Sequence, residues 1–475
     1  MNMAAITPEI ILTLGALILM VAELASGGKR NLGWLTAVII LGAAYPVVLH
    51  FGQIEAGFSG MILSDRFAQF FRLIILLAGL LATLTAAASW GRRAEGVFGP
   101  EYFALLLVSM IGMTFLVTAS DLIIVFLALE ILSLPLYAMA AGKTASERSI
   151  ESGAKYFLTG AFASGFVLFG IALVYGVVGS FSLETIGDAL MVGATVTPLI
   201  WIGGGLILVG FLFKVGAVPF HTWVPDVYTG APTPTVAFFA AAPKAAAFGL
   251  LLRLLLTAMA ELPMETIIWA AAWLSMLVGN FYALRQLELK RLLAYSSIAH
   301  AGYLLVGLVA KGAGSAGAVG FYLLGYAGMS IGAFAVVCAI ESGRTPTTLN
   351  SISGMGRRRP VASAALSLFM FGLVGIPPTV GFAGKFVLFT EALKAGYLGL
   401  VIWAVLFSAV SVYYYLRVVV ALWMWEPTEE SSSASTDRAR AFVPALALAS
   451  IITLLLGVFP EPFIRIASES LFWLL

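Results

Sequence analysis

Long apolar segments recur along almost the whole chain, and short polar stretches separate them. Fourteen of these segments have roughly the 18 residues or more that a helix needs to cross a hydrocarbon core of about 30 Å. The pattern predicts an all-α polytopic membrane protein with about fourteen transmembrane helices. The segments cover residues 8–25, 31–51, 66–89, 101–119, 121–141, 152–178, 197–219, 233–260, 265–285, 291–310, 317–341, 361–393, 397–424 and 441–460.

The composition supports a membrane protein without a soluble domain. Of 475 residues, 61% are hydrophobic and 11% are charged, against roughly 25% charged in soluble domains. The first segment lacks the basic start of a signal peptide, so we expect it to be the first helix of the mature protein. The single cysteine, Cys338, excludes an internal disulfide and an iron-sulfur cluster held by this chain alone. Neither nucleic-acid binding nor a metal site is indicated.

Positive charges are distributed unevenly between the predicted loops. If the first helix starts outside the cell, fifteen lysines and arginines fall in cytoplasmic loops and four fall in outer loops. Because cytoplasmic loops carry the excess of Lys and Arg, both termini are predicted to lie on the outer side. The cytoplasmic set is Lys29, Arg30, Arg92, Arg93, Lys143, Arg148, Arg285, Lys290, Arg291, Arg344, Arg357, Arg358, Arg359, Arg438 and Arg440, and the outer set is Arg66, Lys311, Lys394 and Arg465.

Several titratable residues lie deep within the predicted helices. Glu130 is about 13 Å beyond Asp121 at 1.5 Å per residue, which is close to the bilayer midplane. His300 lies at a similar depth in its own helix. A charge in hydrocarbon is costly, so each should face protein or water, and four on separate helices favour a functional role. The four charged residues are Glu130, Lys214, Lys244 and Lys385.

For other candidates, a structural role competes with a functional one. For Lys155, near the cytoplasmic start of its helix, and for Arg253, a structural role as a buried ion pair or a snorkelling side chain is as well supported as a functional one. Lys290 lies at a loop edge, where a structural role is the better interpretation, although cytoplasmic proton entry stays open. His300 is either a hydrogen-bonded core histidine or part of a relay.

A buried glutamate and lysine are suited to proton transfer. Burial favours the neutral form of an amine, whereas a nearby carboxylate favours its charged form. At an effective dielectric constant of about 20, a pair ~4–7 Å apart interacts by roughly 2–4 kcal/mol. A change in the distance between Glu130 and Lys214 would therefore load or release a proton without a cofactor.

Two of the lysines lie beside residues that interrupt helices. Gly216, Pro219 and Pro225 follow Lys214, and a Gly/Pro-rich stretch over 372–381 precedes Lys385. Paired broken spans indicate inverted repeats with a site near the breaks. We therefore expect helices 7 and 12 to be discontinuous, within inverted five-helix repeats formed by helices 4–8 and 9–13. The corresponding division is 1–100 for three N-terminal helices, 101–260 and 261–425 for the repeats, and 426–475 for a cytoplasmic loop and the last helix.

Five segments resemble the antiporter-like, proton-pumping subunits of respiratory complex I, the bacterial NADH-quinone oxidoreductase. They cover much of residues 120–390, and the long segment that holds both Lys214 and Lys244 is highly specific. The segments are LALEILSLPLYAMAAG, ESGAKYFLTGAFASGFVLFG, FKVGAVPFHTWVPDVYTGAPTPTVAFFAAAPKAAAF, KRLLAYSSIAHAGYLLVG and SGMGRRRPVASAALSLFMFGLVGIPPTVGFAGKF.

The resemblance implies a role for each candidate residue. Glu130 and Lys214 would form the coupled pair of a first half-channel, Lys244 and His300 a central relay, and Lys385 the link to a second half-channel. The match also includes Lys155 as an additional family lysine in the relay. A lysine at position 385 and the short tail after the last helix distinguish the chain from two of the three sibling subunit types.

The resemblance also implies partners and a location. This chain would hold no cofactor and have no independent catalytic activity, because flavin, iron-sulfur clusters and quinone belong to partner subunits that pass electrons from NADH to quinone. Its partners would be the lipid bilayer and other membrane subunits of complex I, including sibling antiporter-like subunits. The location would be the bacterial inner membrane.

Two other functions remain open from the sequence. An Mrp-type cation/proton antiporter subunit shares the buried lysines, but a sodium site would need clustered carboxylates or unwound carbonyls, and Glu130 is the only deep acid that the sequence indicates. A membrane scaffold without transport would leave the buried charges unexplained.

Overall fold

The computed structural model describes residues 3–26, 31–89, 101–193, 197–341, 346–428 and 437–471. The described part is almost entirely helical, with one small antiparallel hairpin of strands β1 (Glu55–Gly57) and β2 (Ile62–Ser64). Its α-helices are α1 (Thr7–Ser26), α2 (Gly33–Leu49), α3 (Arg66–Ala88), α4 (Tyr102–Thr118), α5 (Leu122–Ala140), α6 (Glu147–Val178), α7 (Leu183–Met191), α8 (Pro198–Val215), α9 (Trp223–Gly230), α10 (Thr233–Leu256), α11 (Glu265–Ala283), α12 (Leu289–Val309), α13 (Ala313–Ile340), α14 (Met355–Arg358), α15 (Pro360–Val374), α16 (Val380–Lys394), α17 (Leu398–Trp423), α18 (Val443–Val458) and α19 (Pro460–Leu471).

The helices agree with the predicted membrane architecture. Within the described residues, 11 helices are long and apolar enough to cross a bilayer by length and composition. The apolar helices α2, α4 and α15 are shorter, at 17, 17 and 15 residues, and lie at three further predicted positions. Each of the fourteen predicted segments thus contains an apolar helix. The all-α membrane fold is confirmed, and the count of fourteen crossings stays a prediction.

Helices 7 and 12 of the prediction are interrupted where glycine and proline cluster. The first interruption separates α8 from α9, and the second separates α15 from α16. The helices before the two breaks end at Gly216 and Gly375, whose φ angles are 74° and 91°. Left-handed backbone of this kind carries little penalty for glycine, which explains why each helix stops there. The repeat boundaries themselves stay a prediction.

Loops that the prediction assigns to one side of the membrane pair with one another. On the predicted outer side, Ile62 bridges to Ala119, and Asp121 bridges to Ser182. On the predicted cytoplasmic side, Glu288 bridges to Thr348. This grouping fits helices that cross alternately. Which side faces the cytoplasm stays a prediction. Several of the charged residues on which that prediction depends lie outside the described residues, namely Lys29, Arg30, Arg92, Arg93 and Arg344.

Three helices form the centre of the molecule. The apolar stretches of α10 and α12 are wholly buried, and that of α13 is nearly so. Gly279 of α11 allows close packing here, because a Cβ at this position would lie 2.5 Å from the backbone nitrogen of Ala299. Since α10 carries Lys244 and α12 carries His300, both side chains are held away from lipid by protein on every side.

Arg253 forms a buried ion pair, which matches the structural alternative for this residue. Its Nη2 atom lies 2.9 Å and 3.0 Å from the two carboxylate oxygens of Asp65. A second buried pair joins Arg72 to Glu9 at 2.8 Å and was not predicted. Glu9 and Glu23, 2% and 6% exposed, are further buried acids that the sequence interpretation overlooked. Both lie near the ends of α1, where a charged residue is normally expected to reach the membrane interface.

Replacing Arg253 by methionine is expected to destabilise the protein by about 3–5 kcal/mol, because the Asp65 carboxylate would stay buried without its partner. Thermal unfolding of the purified membrane protein measures this effect. Lys394→Gln is the matched control, because Lys394 is an exposed cation whose ion pair is expected to contribute little. A midpoint for Arg253→Met equal to that of the control would contradict the prediction.

Candidate functional site

Lys214 occupies the last turn of α8, directly before the first helix break, and is 4% exposed. Its amine donates to the hydroxyl of Ser133 at 2.7 Å and reaches the hydroxyl of Tyr156 at 3.5 Å. Glu130 lies one turn before Ser133 on α5 and acts electrostatically on Lys214. The two side chains do not form an ion pair. The structure therefore places a serine hydroxyl, which the sequence interpretation did not include, next to the predicted pair.

One carboxylate oxygen of Glu130, Oε1, is a buried acceptor without a hydrogen-bond partner among the described residues. Buried polar atoms are normally satisfied, so an acceptor without a partner calls for an explanation such as a functional role or a bound water. The amine of Lys214, on which Glu130 acts electrostatically, is one donor from which this oxygen could accept a hydrogen bond if α5 moved against α8.

Aromatic residues connect Lys214 to the centre of the protein. The ring of Tyr156 stacks on Trp223, with centroids 4.5 Å apart, and Trp223 lies edge-on to Tyr228 at 6.4 Å. The indole nitrogen of Trp223 donates to the carbonyl of Phe213 at 3.1 Å. The same carbonyl accepts from the backbone N–H of Gly216, so the indole adds a second bond there and joins the two halves of the broken helix.

Lys244 is 3% exposed and lies near the middle of α10. Its amine donates to both the carbonyl and the hydroxyl of Ser297, at 2.5 Å and 2.6 Å. The hydroxyl of Tyr228 lies 3.4 Å from the same Ser297 hydroxyl. The Lys244 amine also lies 5.7 Å from the ring centre of Tyr326. Ser297 is therefore the junction between the first broken helix and Lys244.

His300 is buried and bonded through both ring nitrogens. Its Nδ1 atom lies 2.5 Å from the hydroxyl of Tyr322, and its Nε2 atom lies 3.1 Å from that of Tyr415. The Tyr415 hydroxyl is also hydrogen bonded to Ser296. Because a neutral imidazole donates through one nitrogen and accepts through the other, this arrangement can carry a proton from one tyrosine hydroxyl towards the other.

Lys385 binds the end of the helix that precedes the second break. Its amine donates to the carbonyls of Leu373 and Val374, at 3.2 Å and 2.8 Å, and to the hydroxyl of Ser408 at 3.0 Å. It also lies 4.6 Å from the ring centre of Tyr303. A cation is favourable beside these carbonyls because a helix C-terminus carries partial negative charge.

Lys155 lies apart from the buried residues. Its side chain is 44% exposed and forms ion pairs with Glu151 at 2.7 Å and with Asp226 at 2.8 Å. These residues line a surface cavity of about 160 Å³ on the predicted cytoplasmic side. The structure thus does not bring Lys155 into the row of buried groups, and the ion pairs match the structural alternative.

Lys290 is buried, although its position suggested a loop edge. Its amine donates to the carbonyl of Ala231 at 2.7 Å, in the link between α9 and α10. Glu288, just before α12, lies near it, and burial raises the pKa of the Glu288 carboxyl. Lys290 is next in sequence to Arg291, and its partner Ala231 is next to Gly230, and both Arg291 and Gly230 line the cavity beside Lys155. This position keeps cytoplasmic proton entry open for Lys290.

The sequence interpretation missed the hydroxyl groups between the charged residues. Ser133 is three residues after Glu130, and Ser297 is three residues before His300, so helical spacing places each on the same face as its neighbour. That spacing could have identified the serines. The tyrosines gave no such signal, because they lie within apolar runs and tyrosine is common in protein cores. The missed residues are Ser133, Tyr156, Tyr228, Ser296, Ser297, Tyr322, Tyr326, Ser408 and Tyr415.

Together these residues form a row of buried amines, hydroxyls and one imidazole between the two helix breaks. Groups of this kind can hold and pass protons. Among the described residues, no group of three or more His, Cys, Asp or Glu side chains could hold a metal ion. The fold and this row define the class of antiporter-like membrane subunits, with one lysine beside each of two broken helices.

Comparison with known proteins agrees with this class. Residues 119–411 match the family described as NADH:quinone oxidoreductase/Mrp antiporter, transmembrane. The NADH-quinone oxidoreductase subunit N of Trichlorobacter lovleyi is 43% identical over 475 residues, covering 99% of this chain and 97% of the relative. The chain belongs to the subunit N family of the NADH-quinone oxidoreductases.

Solved structures show the same fold. A chain in respiratory complex I from Thermus thermophilus with bound aureothin has a TM-score of 0.82 and 36% identity, covering 97% of this chain and 99% of that chain. A chain of the Mrp complex from a Dietzia species has a TM-score of 0.87 at 20% identity, covering 99% and 98%. The second likeness concerns the fold alone.

Proposed function

We propose that this protein moves protons across the membrane as a subunit of an NADH-quinone oxidoreductase. The observation that carries the proposal is the row of buried lysines, hydroxyls and one histidine that runs between the two broken helices. Burying three lysines costs several kcal/mol each unless they are compensated, so their presence favours a function that needs titratable amines. Membership of the subunit N family supports the same function.

In the proposed path, Glu130 and Lys214 serve a first half-channel, Lys244 and His300 the centre, and Lys385 a second half-channel. Ser297 links the first half to the centre through its bonds with Tyr228 and Lys244. The two half-channels fall in the proposed repeats 101–260 and 261–425. Lys155 would act at the cytoplasmic end, where its ion pairs line the surface cavity.

The energy for transport would come from other subunits. We propose that electrons pass from NADH to quinone through flavin and iron-sulfur centres held by partner chains, and that this chain has neither redox chemistry nor independent catalytic activity. The partners would be other complex I membrane subunits, including sibling antiporter-like chains. The protein would lie in a bacterial inner membrane with both termini outside.

A cation/proton antiporter of the Mrp type is the second candidate, favoured by the likeness of fold. Against it, Glu130 belongs to no group of three or more His, Cys, Asp or Glu side chains that could hold a metal ion, in the part of the chain that the structure describes. Proton translocation that is unchanged when sodium is replaced by choline would favour the first function. A requirement for sodium would favour the second.

Glu130→Ala is expected to remove most redox-linked proton translocation while the complex assembles normally, because the carboxylate that acts on Lys214 is lost. Glu130→Asp should be milder, because it keeps the charge and moves it by one methylene. The measurement is the number of protons moved per electron in membrane vesicles that oxidise NADH. An unchanged ratio in Glu130→Ala would favour a scaffold without transport.

A further inference from the structure

An apolar groove runs along the membrane-facing surface of the N-terminal helices. It has a volume of about 570 Å³ and is lined by α2, α3, α13 and α19. Representative lining residues are Ile40, Val48, Phe70, Leu80 and Phe463. None of the residues proposed for proton transfer lines it, so the groove has no part in the function described above.

The length of the groove matches one leaflet of the bilayer. Along α3 it extends from Phe70 to Leu80, which is ten residues or about 15 Å at 1.5 Å per residue. A hydrocarbon core is about 30 Å thick, so the groove covers half of it, on the predicted outer side. A transmembrane helix from another chain would need a groove of the full thickness. An acyl chain of a phospholipid needs only one leaflet.

Two scarce positive charges lie at the outer end of this groove. The predicted outer loops hold four lysines and arginines, and two of the four are Arg66 and Arg465. Arg66 is the first residue of α3, one turn before Phe70. Its side chain packs against Gly52, because a Cβ atom added to Gly52 would lie 3.0 Å from the Nε atom of Arg66. Gly52 follows Phe51, which lines the groove.

The arginines are available to a ligand. Arg66 has no hydrogen-bond or ion-pair partner among the described residues. Arg465 lies between the lining residues Phe463 and Ile466, and its side chain is 76% exposed, with Nε 3.6 Å from Glu469. Lys and Arg are depleted from the outer loops of membrane proteins. Two arginines beside one apolar groove on this side therefore indicate a negatively charged partner.

We propose that the groove binds one acyl chain of an anionic phospholipid, whose phosphate contacts Arg66 and Arg465. The groove supplies apolar contact over the depth of a leaflet, and the guanidinium groups match the phosphate oxygens in charge and in hydrogen-bond geometry. This site is independent of proton transfer.

The test uses the assembled complex in lipid nanodiscs that contain a photoactivatable phosphatidylglycerol with its reactive group on the acyl chain. Crosslinks are expected on α2 and α3, at residues that line the groove. Arg66→Gln and Arg465→Gln should each lower the crosslink yield by about fivefold, the effect of one basic residue near an anionic lipid. Ala44→Phe, which fills the groove but keeps both arginines, should abolish these crosslinks.

Lys394→Gln is the control, because Lys394 is an outer cation away from the groove, and it should leave the yield unchanged. All variants are compared at equal amounts of assembled complex. Equal labelling by photoactivatable phosphatidylethanolamine, or an unchanged yield in both arginine variants, would show nonspecific surrounding lipid only. Crosslinks from the same residues to a neighbouring subunit would show that a protein helix covers the groove. Either result overturns the proposal.

Discussion

Lys214→Ala is expected to abolish most redox-linked proton translocation while the complex still assembles. The amine of Lys214 joins Ser133 to Tyr156 beside the first helix break, so its removal interrupts the row at its start. Loss of a positioned proton donor slows transfer by ~10²–10⁴-fold. Assembly should survive, because removing a buried charge also removes its desolvation cost. The measurement is proton uptake by inverted vesicles during NADH oxidation.

The Lys214→Arg variant distinguishes two possible roles of Lys214, transfer of a proton and provision of a fixed positive charge. Arginine keeps the positive charge but does not release its proton in proteins. If Lys214 transfers protons, the arginine variant should pump as poorly as the alanine variant. If Lys214 only provides a fixed charge, arginine should restore translocation, and the proposed role of the amine would be wrong. Lys394→Ala, at an exposed ion pair, controls for loss of a lysine elsewhere.

The sequence predicted the parts of the fold that follow from one-dimensional patterns. Apolar length located the helices, and clusters of glycine and proline located both breaks, because these residues restrict the backbone wherever they occur. The helix α7 and the hairpin of β1 and β2 were missed. Both are shorter than a membrane span. The helix α7 does carry a helical pattern, because Ser182 caps it and Leu183, Ile186 and Leu190 lie on one buried face, so this signal was overlooked. The hairpin has no comparable signal.

The sequence predicted the charged residues of the candidate site but not the hydroxyl and carbonyl groups to which they are hydrogen bonded. Lys214, Lys244 and Lys385 stand out because a charge in an apolar run is rare. Their partners are a serine hydroxyl, a serine carbonyl and the end of a helix, and these depend on how distant helices pack. Lys155 shows the converse, since the family resemblance places it in the relay but its side chain reaches solvent.

At each helix break, a side chain donates a hydrogen bond to carbonyl groups at the end of the preceding helix. Each break leaves carbonyl groups at the end of a buried helix, and such groups need a donor where water is scarce. At the first break, backbone N–H groups of Gly216 and Ala217 already donate to carbonyls of the last turn, and the indole of Trp223 adds a second bond to Phe213. At the second break, the amine of Lys385 donates to Leu373 and Val374. Lys385 therefore combines a structural bond with its proposed role in proton transfer, whereas Lys214 does not.

This difference predicts that Lys385→Glu lowers both stability and translocation. A carboxylate would face the carbonyls of Leu373 and Val374, and each buried carbonyl left without a donor costs about 1–3 kcal/mol. Lys385→Arg should keep the helix end bonded and the complex stable but should not translocate protons, because arginine keeps its proton. Ser408→Ala, which removes one bond to the amine, should have a smaller effect on both. Thermal unfolding and proton uptake by the assembled complex measure the two effects separately, and wild-type values for Lys385→Glu would contradict both roles.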